Sequence, residues 1–492
     1  MPSQQEFDVV VVGGGAVGEN VADRASRTGL SVALVEHALV GGECSYWACM
    51  PSKVLLRAGA VLAAARGVPG AKSAVADATV DAAAVLARRD EIVHHWDDSS
   101  QVSWVESVGL TLLRGHARLT GPRTLLVSGE TETEVRARHA VVLATGSEPV
   151  VPDVPGLAEA GFWTSREATA AREVPARLAV LGGGVVGVEM ARAYADLGSE
   201  VTVVVRGGRL LGNAEPFAGE AVADDLRAAG VRVLLHAETT AVRRDDGGVH
   251  LEVGATSGGP HPDASAVHAS EVLVATGRRP RTGQLGLETV GLTPGEPLHV
   301  DDALQVVGVE DGWLFAAGDV TGRTATTHQG KYDARVVGDV VAARFHPDGA
   351  DADGGPGAER DAAPWTRYRA TADVAAVPQV VFSRPEVAWV GRTEAQARRD
   401  GIDVRVLRYD LADVAGASVA SEDYPGAAQL VVDQTRGVVV GATFVGPDAA
   451  EMLHAATIAV VGEVPLDRLW HAVPSYPTVS EVWLRLLEAA GL

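Results

Sequence analysis

Lysine is nearly missing from this 492-residue chain, which holds only Lys53, Lys72 and Lys331. Arginine supplies almost all of the 42 basic residues, a skew that reads as GC-rich coding bias, and 64 acidic residues outweigh them for a formal net charge of −22. A surface so poor in positive charge repels phosphate backbones and anionic headgroups, which excludes nucleic-acid binding and docking on acidic membranes. Uninterrupted apolar runs of the ~18 residues that cross a bilayer are also missing, so no membrane span is expected. The polar start, Met1 to Phe7, leads into a strand rather than a signal peptide, and a cytoplasmic location is expected. Cysteine is scarce too: Cys44 and Cys49 are the only two. One neighbouring pair makes a poor staple for a chain this long, and in a cytosolic protein such a pair points to catalysis or metal binding.

The length argues for about three domains of roughly 100–200 residues each. Asp8-Val9-Val10-Val11-Val12 is an uninterrupted β-branched run of the kind found in a buried parallel strand. Gly13-Gly14-Gly15-Ala16-Val17-Gly18 follows, then an Ala-rich helix to about Gly29 and a second strand, Ser31 to Val35, ending on Glu36. The pattern returns at Leu178–Leu181, Gly182-Gly183-Gly184-Val185-Val186-Gly187, a helix to about Leu197 and the strand Thr202–Val205. Two βαβ units predict an α/β protein with two Rossmann-like dinucleotide-binding domains. Between them, Ala74 to Ser107 reads as mostly helix and Arg118 to Leu143 as short strands. We expect one nucleotide domain from residues 1–150 with 275–345, and the other from 151–274. Residues 346–365, rich in Gly, Asp, Ala and Pro, read as a flexible linker. Residues 366–492 lack a glycine fingerprint and are expected to form a separate α+β domain.

The glycines decide where pyrophosphates bind. Gly13, Gly15 and Gly18 at one site, and Gly182, Gly184 and Gly187 at the other, allow a tight turn and close approach to a helix N-terminus. Ribose recognition distinguishes the two. Glu36 closes the first unit with a carboxylate that can accept from both ribose hydroxyls, as FAD requires. Its counterpart in the second unit is Val205, followed by Arg206 and Arg209. A carboxylate there would repel a 2′-phosphate and two arginines favour one, so NADPH is expected over NADH.

The chemistry lies in Gly41-Gly42-Glu43-Cys44-Ser45-Tyr46-Trp47-Ala48-Cys49-Met50-Pro51-Ser52-Lys53. No second cysteine pair exists to complete a zinc cage, and no metal site is expected. Residues five apart in a regular helix point about 140° from each other. A Cys44–Cys49 disulfide therefore needs a distorted first turn, which Gly41-Gly42 and Pro51 can provide. So short and irregular a loop near a helix start should be reducible, with a lowered thiol pKa.

With those motifs in place, the chain resembles the class I pyridine nucleotide–disulfide oxidoreductases, which include dihydrolipoamide dehydrogenase, mercuric reductase and soluble transhydrogenase. Gly41, Gly42, Cys44, Cys49, Pro51, Ser52 and Lys53 meet the family's G-G-x-C-x4-C-x-P-[ST]-K pattern. Ala144-Thr145-Gly146-Ser147, Ala275-Thr276-Gly277-Arg278, Ala317-Gly318-Asp319 and Val381-Phe382-Ser383-Arg384-Pro385-Glu386 match further motifs in order. The resemblance implies a homodimer with the C-terminal domain at the interface. It implies that Cys49 faces the flavin, Cys44 is the interchange thiol, and Lys53 lies near flavin N5 paired with Glu189. The FAD contacts it implies include Gly42, Ala117, Thr145, Gly146, Asp319 and Thr327, with Gly277 on the nucleotide side.

Disulfide-reducing members carry a C-terminal H-P-T-x-x-E, whose imidazole serves the interchange thiol and whose glutamate orients it. Here the run is Tyr476-Pro477-Thr478-Val479-Ser480-Glu481, with tyrosine in the histidine position, and His471 stands five residues upstream. Three readings follow. Electrons from NAD(P)H pass through FAD and the Cys44–Cys49 disulfide to a small or protein-bound disulfide, as in dihydrolipoamide dehydrogenase. Alternatively, flavin reduces a quinone, a dye or another nicotinamide directly, with auxiliary cysteines. In a third reading the chain is a non-catalytic flavoprotein sensor.

Overall fold

The computed structural model describes residues 3–257, 259, 265–345 and 361–492. They form two compact units, the first comprising Met1–Met50, Asp90–Glu148 and Arg278–Val374, and the second Pro51–Arg89, Pro149–Gly277 and Ala375–Leu492.

The first unit is built on a seven-stranded sheet. Its strands are β1 (Ser3–Val12), β2 (Val32–Glu36), β3 (Thr111–Arg114), β4 (His116–Gly121), β5 (Thr124–Ser128), β6 (Glu132–Leu143) and a short strand at Leu314–Ala316. The order β3-β2-β1-β6 is parallel, Leu314–Ala316 pairs parallel with β6, and β6-β5-β4 continue as an antiparallel meander. The polar N-terminus belongs to this sheet. Ser3 to Phe7 pair with Thr133 to Ala137 of the long β6, which extends β1 beyond the apolar run.

Alternate side chains of a strand point to opposite faces. Val9 and Val11 accordingly join one core with helix α1 (Ala16–Ser26) and helix Thr327–Phe345, while Val10 and Val12 join another under β4 and β5. All four valines are buried, each contributing roughly 1.5–3 kcal/mol of transfer free energy at most.

The second unit contains a four-stranded parallel sheet, Arg232–Leu234, Glu200–Val204, Arg177–Leu181 and Glu271–Val274 in spatial order, with helices Val185–Asp196 and Pro216–Ala228. A three-stranded antiparallel sheet, Ala237–Asp245, Gly248–Ala255 and Ala266–Ala269, accompanies it. Residues 375–492 form a five-stranded antiparallel sheet with helices that include Ala449–Val461 and Val482–Ala489. They are not isolated from the nucleotide fold: Val381, Val387 and Val445 share one core with Val188, Tyr194 and Val203. Leu55, Leu56 and Val85 enter the same core, which is why Pro51–Arg89 groups here and not with the first nucleotide fold.

Two expectations change in detail, and a third lies mostly beyond the described residues. The stretch from Ala74 to Ser107 is broken into helices Ala82–Ile92 and Ser99–Ser107 with 3-10 turns at Lys72–Val75 and His94–Trp96. The linker at 346–365 falls mostly outside the described residues; within its described end, the Trp365 N–H donates to Thr371 Oγ1 at 2.9 Å. Finally, a window inside Gly42–Arg66 is long and apolar enough to cross a membrane, with mean hydropathy 1.3, although no unbroken run is. Isolated polar residues interrupt the run without lowering the mean enough to fail that test. The segment is two helices, α2 (Gly42–Tyr46) and α3 (Cys49–Arg66), and the second contributes Leu55 and Leu56 to the core.

Candidate redox-active site

The first glycine turn is held together by backbone contact that leaves no room for side chains. Gly13 has φ +104°, and a Cβ on it would stand 2.4 Å from the Ala144 carbonyl oxygen. A Cβ on Gly18 would fall 1.8 Å from the Gly13 oxygen, and one on Gly42 would fall 2.7 Å from Gly15 Cα. The Gly41 N–H donates to Gly14 O at 2.8 Å, so the cysteine loop is tied to the turn. Helix α1 starts at Gly15 with no side-chain cap, and its first N–H groups suit an anionic phosphate.

Buried Glu36 accepts from the Gly14 N–H and the Ala38 N–H, both at 2.7 Å, which fixes its carboxylate at the strand end. Asp319 accepts from Ser147 Oγ at 2.5 Å, and Ser147 Oγ accepts from Arg278 Nε at 2.8 Å. Gly146 O accepts from the Arg281 N–H, Thr145 Oγ1 donates to Arg281 O, and Ala117 of β4 stands opposite Val127. These residues fit an FAD: glycines that permit backbone approach, a helix N-terminus, and carboxylates at Glu36 and Asp319.

The chain between the cysteines is more than distorted. Helix α2 carries Cys44 and ends at Trp47, whose φ of −139° leaves the helical region, and α3 restarts at Cys49. Pro51 sits in the first turn of α3, where a missing N–H costs nothing. The break frees the thiols from the ~140° divergence of one regular helix. The two sulfurs are not bonded to each other in this structure. Cys49 Sγ lies 3.3 Å from Thr327 Oγ1, at the start of helix Thr327–Phe345.

The expected lowering of thiol pKa fails for Cys44. Its hydrogen bond to Cys49, burial and the charge of Cys49 push it far above the usual thiol range, against smaller opposing effects of Thr327 and Lys331. The proton of the reduced pair therefore stays on Cys44, directed at Cys49.

Lys53 follows Cys49 by four residues on α3 and is the pivot of a second cluster. Its Nζ is 2.8 Å from Glu189 Oε2 and 4.8 Å from the centroid of the Phe382 ring. Glu189, on helix Val185–Asp196, is 3% exposed, and its Oε1 accepts from the Phe382 N–H at 3.0 Å. Phe382 was legible only as part of a motif; its backbone role depends on the fold.

At the second glycine turn, Gly182 has φ +118° and a Cβ there would meet the Ala275 oxygen at 2.2 Å, while one on Gly187 would meet the Gly182 oxygen at 2.1 Å. Gly184 caps helix Val185–Asp196, and Gly277 O accepts from the Val150 N–H. Gly183 faces the Val205 and Leu210 side chains, where Gly14 in the first unit faces Glu36. Val205 is buried; the Arg206 side chain is 81% exposed and 3.8 Å from Glu238, and Arg209 donates to Gly212 O at 2.6 Å.

Near the C-terminus, Tyr476 is 77% exposed and His471 is also exposed. Glu481 is buried; Arg485 lies 2.6 Å from its Oε1, and its Oε2 finds no partner among the described residues.

Sequence reasoning missed the polar cleft beside α1. Glu19, Asn20, Ser100, Gln101 and Trp104 line a cavity of about 270 Å³. Burial pushes Glu19 up to about 7, opposed by the charge of Lys331. Lys331 also acts on Cys44, so one of the three lysines lies in electrostatic reach of both. No spacing rule signals this, because the groups come from separate segments.

Residues 7–334 match the pyridine nucleotide-disulphide oxidoreductase family and residues 377–487 match its dimerisation domain. The chain is 32% identical over 486 residues to a mercuric reductase of Acidithiobacillus ferrooxidans, covering 97% of this chain and 81% of that one. It is 28% identical over 482 residues to a dihydrolipoyl dehydrogenase of Chlamydia muridarum, covering 97% and 96%. The HOCl-induced flavoprotein disulfide reductase RclA of Escherichia coli has a similar structure, with a TM-score of 0.80 at 25% identity, covering 98% of this chain and 99% of that one. The chain belongs to the pyridine nucleotide-disulphide oxidoreductase family, as an FAD-containing flavoprotein enzyme that uses a pyridine nucleotide.

Proposed function

We propose that the protein is a homodimeric, NADPH-preferring disulfide reductase that passes two electrons through Cys44 and Cys49 to a small or protein-bound disulfide. The reading is carried by the cysteine geometry: two thiols released from helical divergence, with the shared proton held on Cys44. Bound FAD supplies the relay that accepts hydride equivalents from the nucleotide and passes electrons on. Glu36 and Asp319 hold its ribose and ribityl hydroxyls, while Lys53, fixed by Glu189, presents a positive charge.

Two electrons and one proton convert the Cys44–Cys49 bond to a Cys44 thiol and a Cys49 thiolate. Cys44 then attacks the acceptor disulfide, forming a mixed disulfide as its proton passes to the departing thiolate, which leaves as a thiol. Cys49 attacks Cys44, which restores the internal disulfide and releases the second half of the acceptor as a thiolate. The preference for NADPH rests on Val205, Arg206 and Arg209 at the end of the second strand. Self-association rests on the dimerisation domain at 377–487.

Tyr476 favours a second reading. A phenol is a much weaker acid than an imidazolium and a poor proton shuttle for Cys44 at neutral pH. In that reading the acceptor is a quinone, dye or second nicotinamide, and the cysteines are auxiliary. Anaerobic NADPH titration of the holoenzyme separates the two. A long-wavelength thiolate-to-flavin band after two electrons supports the disulfide reading; bleaching of the flavin without that band overturns it.

A further inference from the structure

The three-stranded sheet of the second unit, Ala237–Asp245, Gly248–Ala255 and Ala266–Ala269, carries a histidine pair. His250 and His268 are cross-strand partners there. Their Nδ1 atoms are 2.5 Å apart, with the rings at 84° to each other. His250 Nε2 is 2.9 Å from Asp245 Oδ1. An ionised carboxylate only accepts, so Nε2 carries the hydrogen in this contact. The Asp245 carboxylate also accepts from the Gly247 N–H at 2.9 Å and from Arg243 Nη1. In neutral His250 the Nδ1 is then a lone pair, and it points at the His268 Nδ1.

Two nitrogens this close repel unless a proton or a cation lies between them. We propose that His250 and His268 form a two-imidazole clamp for a divalent first-row transition-metal ion, with Asp245 holding the ligating tautomer. A carboxylate hydrogen-bonded to the far nitrogen of a ligating histidine fixes its ring and raises its basicity. Imidazole pairs suit copper, nickel and zinc rather than calcium or magnesium. At metal–nitrogen distances of about 2.0–2.1 Å, two ligands at a right angle stand about 2.9 Å apart, so a small opening of the two rings admits the ion. No three His, Cys, Asp or Glu side chains converge on a metal site among the described residues. The remaining positions therefore fall to water, and exposed His268 leaves the site open to solvent. Bound metal would tie strand Gly248–Ala255 to Ala266–Ala269.

Cu(II) is the probe, added to the oxidised holoenzyme so that closure of the Cys44–Cys49 disulfide removes competing thiolates. The expected result is one ion whose EPR spectrum carries superhyperfine splitting from two nitrogens. H250Q and H268Q should each lose that pattern and bind at least about tenfold more weakly, and D245N, which keeps both imidazoles, should weaken binding about 10–100-fold. Cu(II) bound with unchanged affinity and an unchanged nitrogen pattern in H268Q overturns the proposal, as does wild-type protein that shows no two-nitrogen signal.

Discussion

Lys53 Nζ and Glu189 Oε2 stand 2.8 Å apart, and the other oxygen of Glu189 accepts from the Phe382 N–H. One carboxylate thus satisfies an ammonium and a backbone donor from two distant parts of the sequence. Glu189→Ala should leave the Phe382 N–H unpaired and strip Lys53 of its carboxylate, while Lys53 keeps its contacts to Ser52 Oγ and the Phe382 ring. It should destabilise the protein by about 2–3 kcal/mol, less than a fully buried pair because Lys53 is partly exposed. Glu189→Gln, which keeps an acceptor for the Phe382 N–H, should cost less. Denaturant midpoints of the holoenzymes would show the order, and equal losses would argue against the shared role.

The cysteines are tested by Cys44→Ser. Under the disulfide reading it should abolish turnover of every disulfide acceptor while the flavin is still reduced by NADPH. Steady-state assays with a disulfide and with a quinone compare the two routes directly. Disulfide turnover that survives the substitution would rule out Cys44 as the interchange thiol.

Nucleotide choice should follow Arg206. Charge-assisted hydrogen bonds contribute about 1.5–3 kcal/mol, so Arg206→Glu should lower kcat/KM for NADPH by at least about tenfold and leave NADH far less affected. Wild-type preference for NADH, or a variant with equal losses for both, would contradict the assignment.

Tyr476→His restores an imidazole where disulfide-reducing relatives carry one. General acid–base groups contribute about 10²–10⁴-fold, so disulfide turnover should rise by at least tenfold and quinone turnover should not change. A variant without gain on any disulfide would point to an acceptor reduced elsewhere.

Asp333 supplies a pH signature. It is fully buried, its Oδ2 accepts from the Gly318 N–H at 3.1 Å, and burial followed by the charge of Asp373 pushes it up to about 8. Its folded pKa is above the unfolded value of 3.8, so the folded state binds the proton more tightly. The stability it contributes is complete below about pH 4 and is lost as pH rises through about 8. Asp333→Asn should therefore flatten the fall in holoenzyme Tm between about pH 4 and pH 8. Parallel Tm curves for the two proteins would refute it.

Local sequence was enough for the glycine turns, because a Cβ at Gly18 or Gly187 collides with backbone whatever the distant contacts. It was enough to put Glu36 and Val205 at corresponding positions too, since each stands at the end of the second strand of a local βαβ unit and faces the middle glycine of its turn. Covalent neighbours likewise place Cys44 and Cys49 in one motif.

Tertiary structure decided what those residues experience. Whether Cys44 holds or loses its proton depends on burial, Cys49, Thr327 and Lys331, and the last two come from a helix more than 280 residues later. Pro51–Arg89 joined the second unit because its leucines found a core built from residues 168–445. Three sparse lysines were visible from the start, and the family resemblance already paired Lys53 with Glu189, now found at 2.8 Å; only the fold showed that Lys331 acts on both Glu19 and Cys44. Charge acts through space, and spacing along a chain carries no record of it beyond a helical turn or a strand pair.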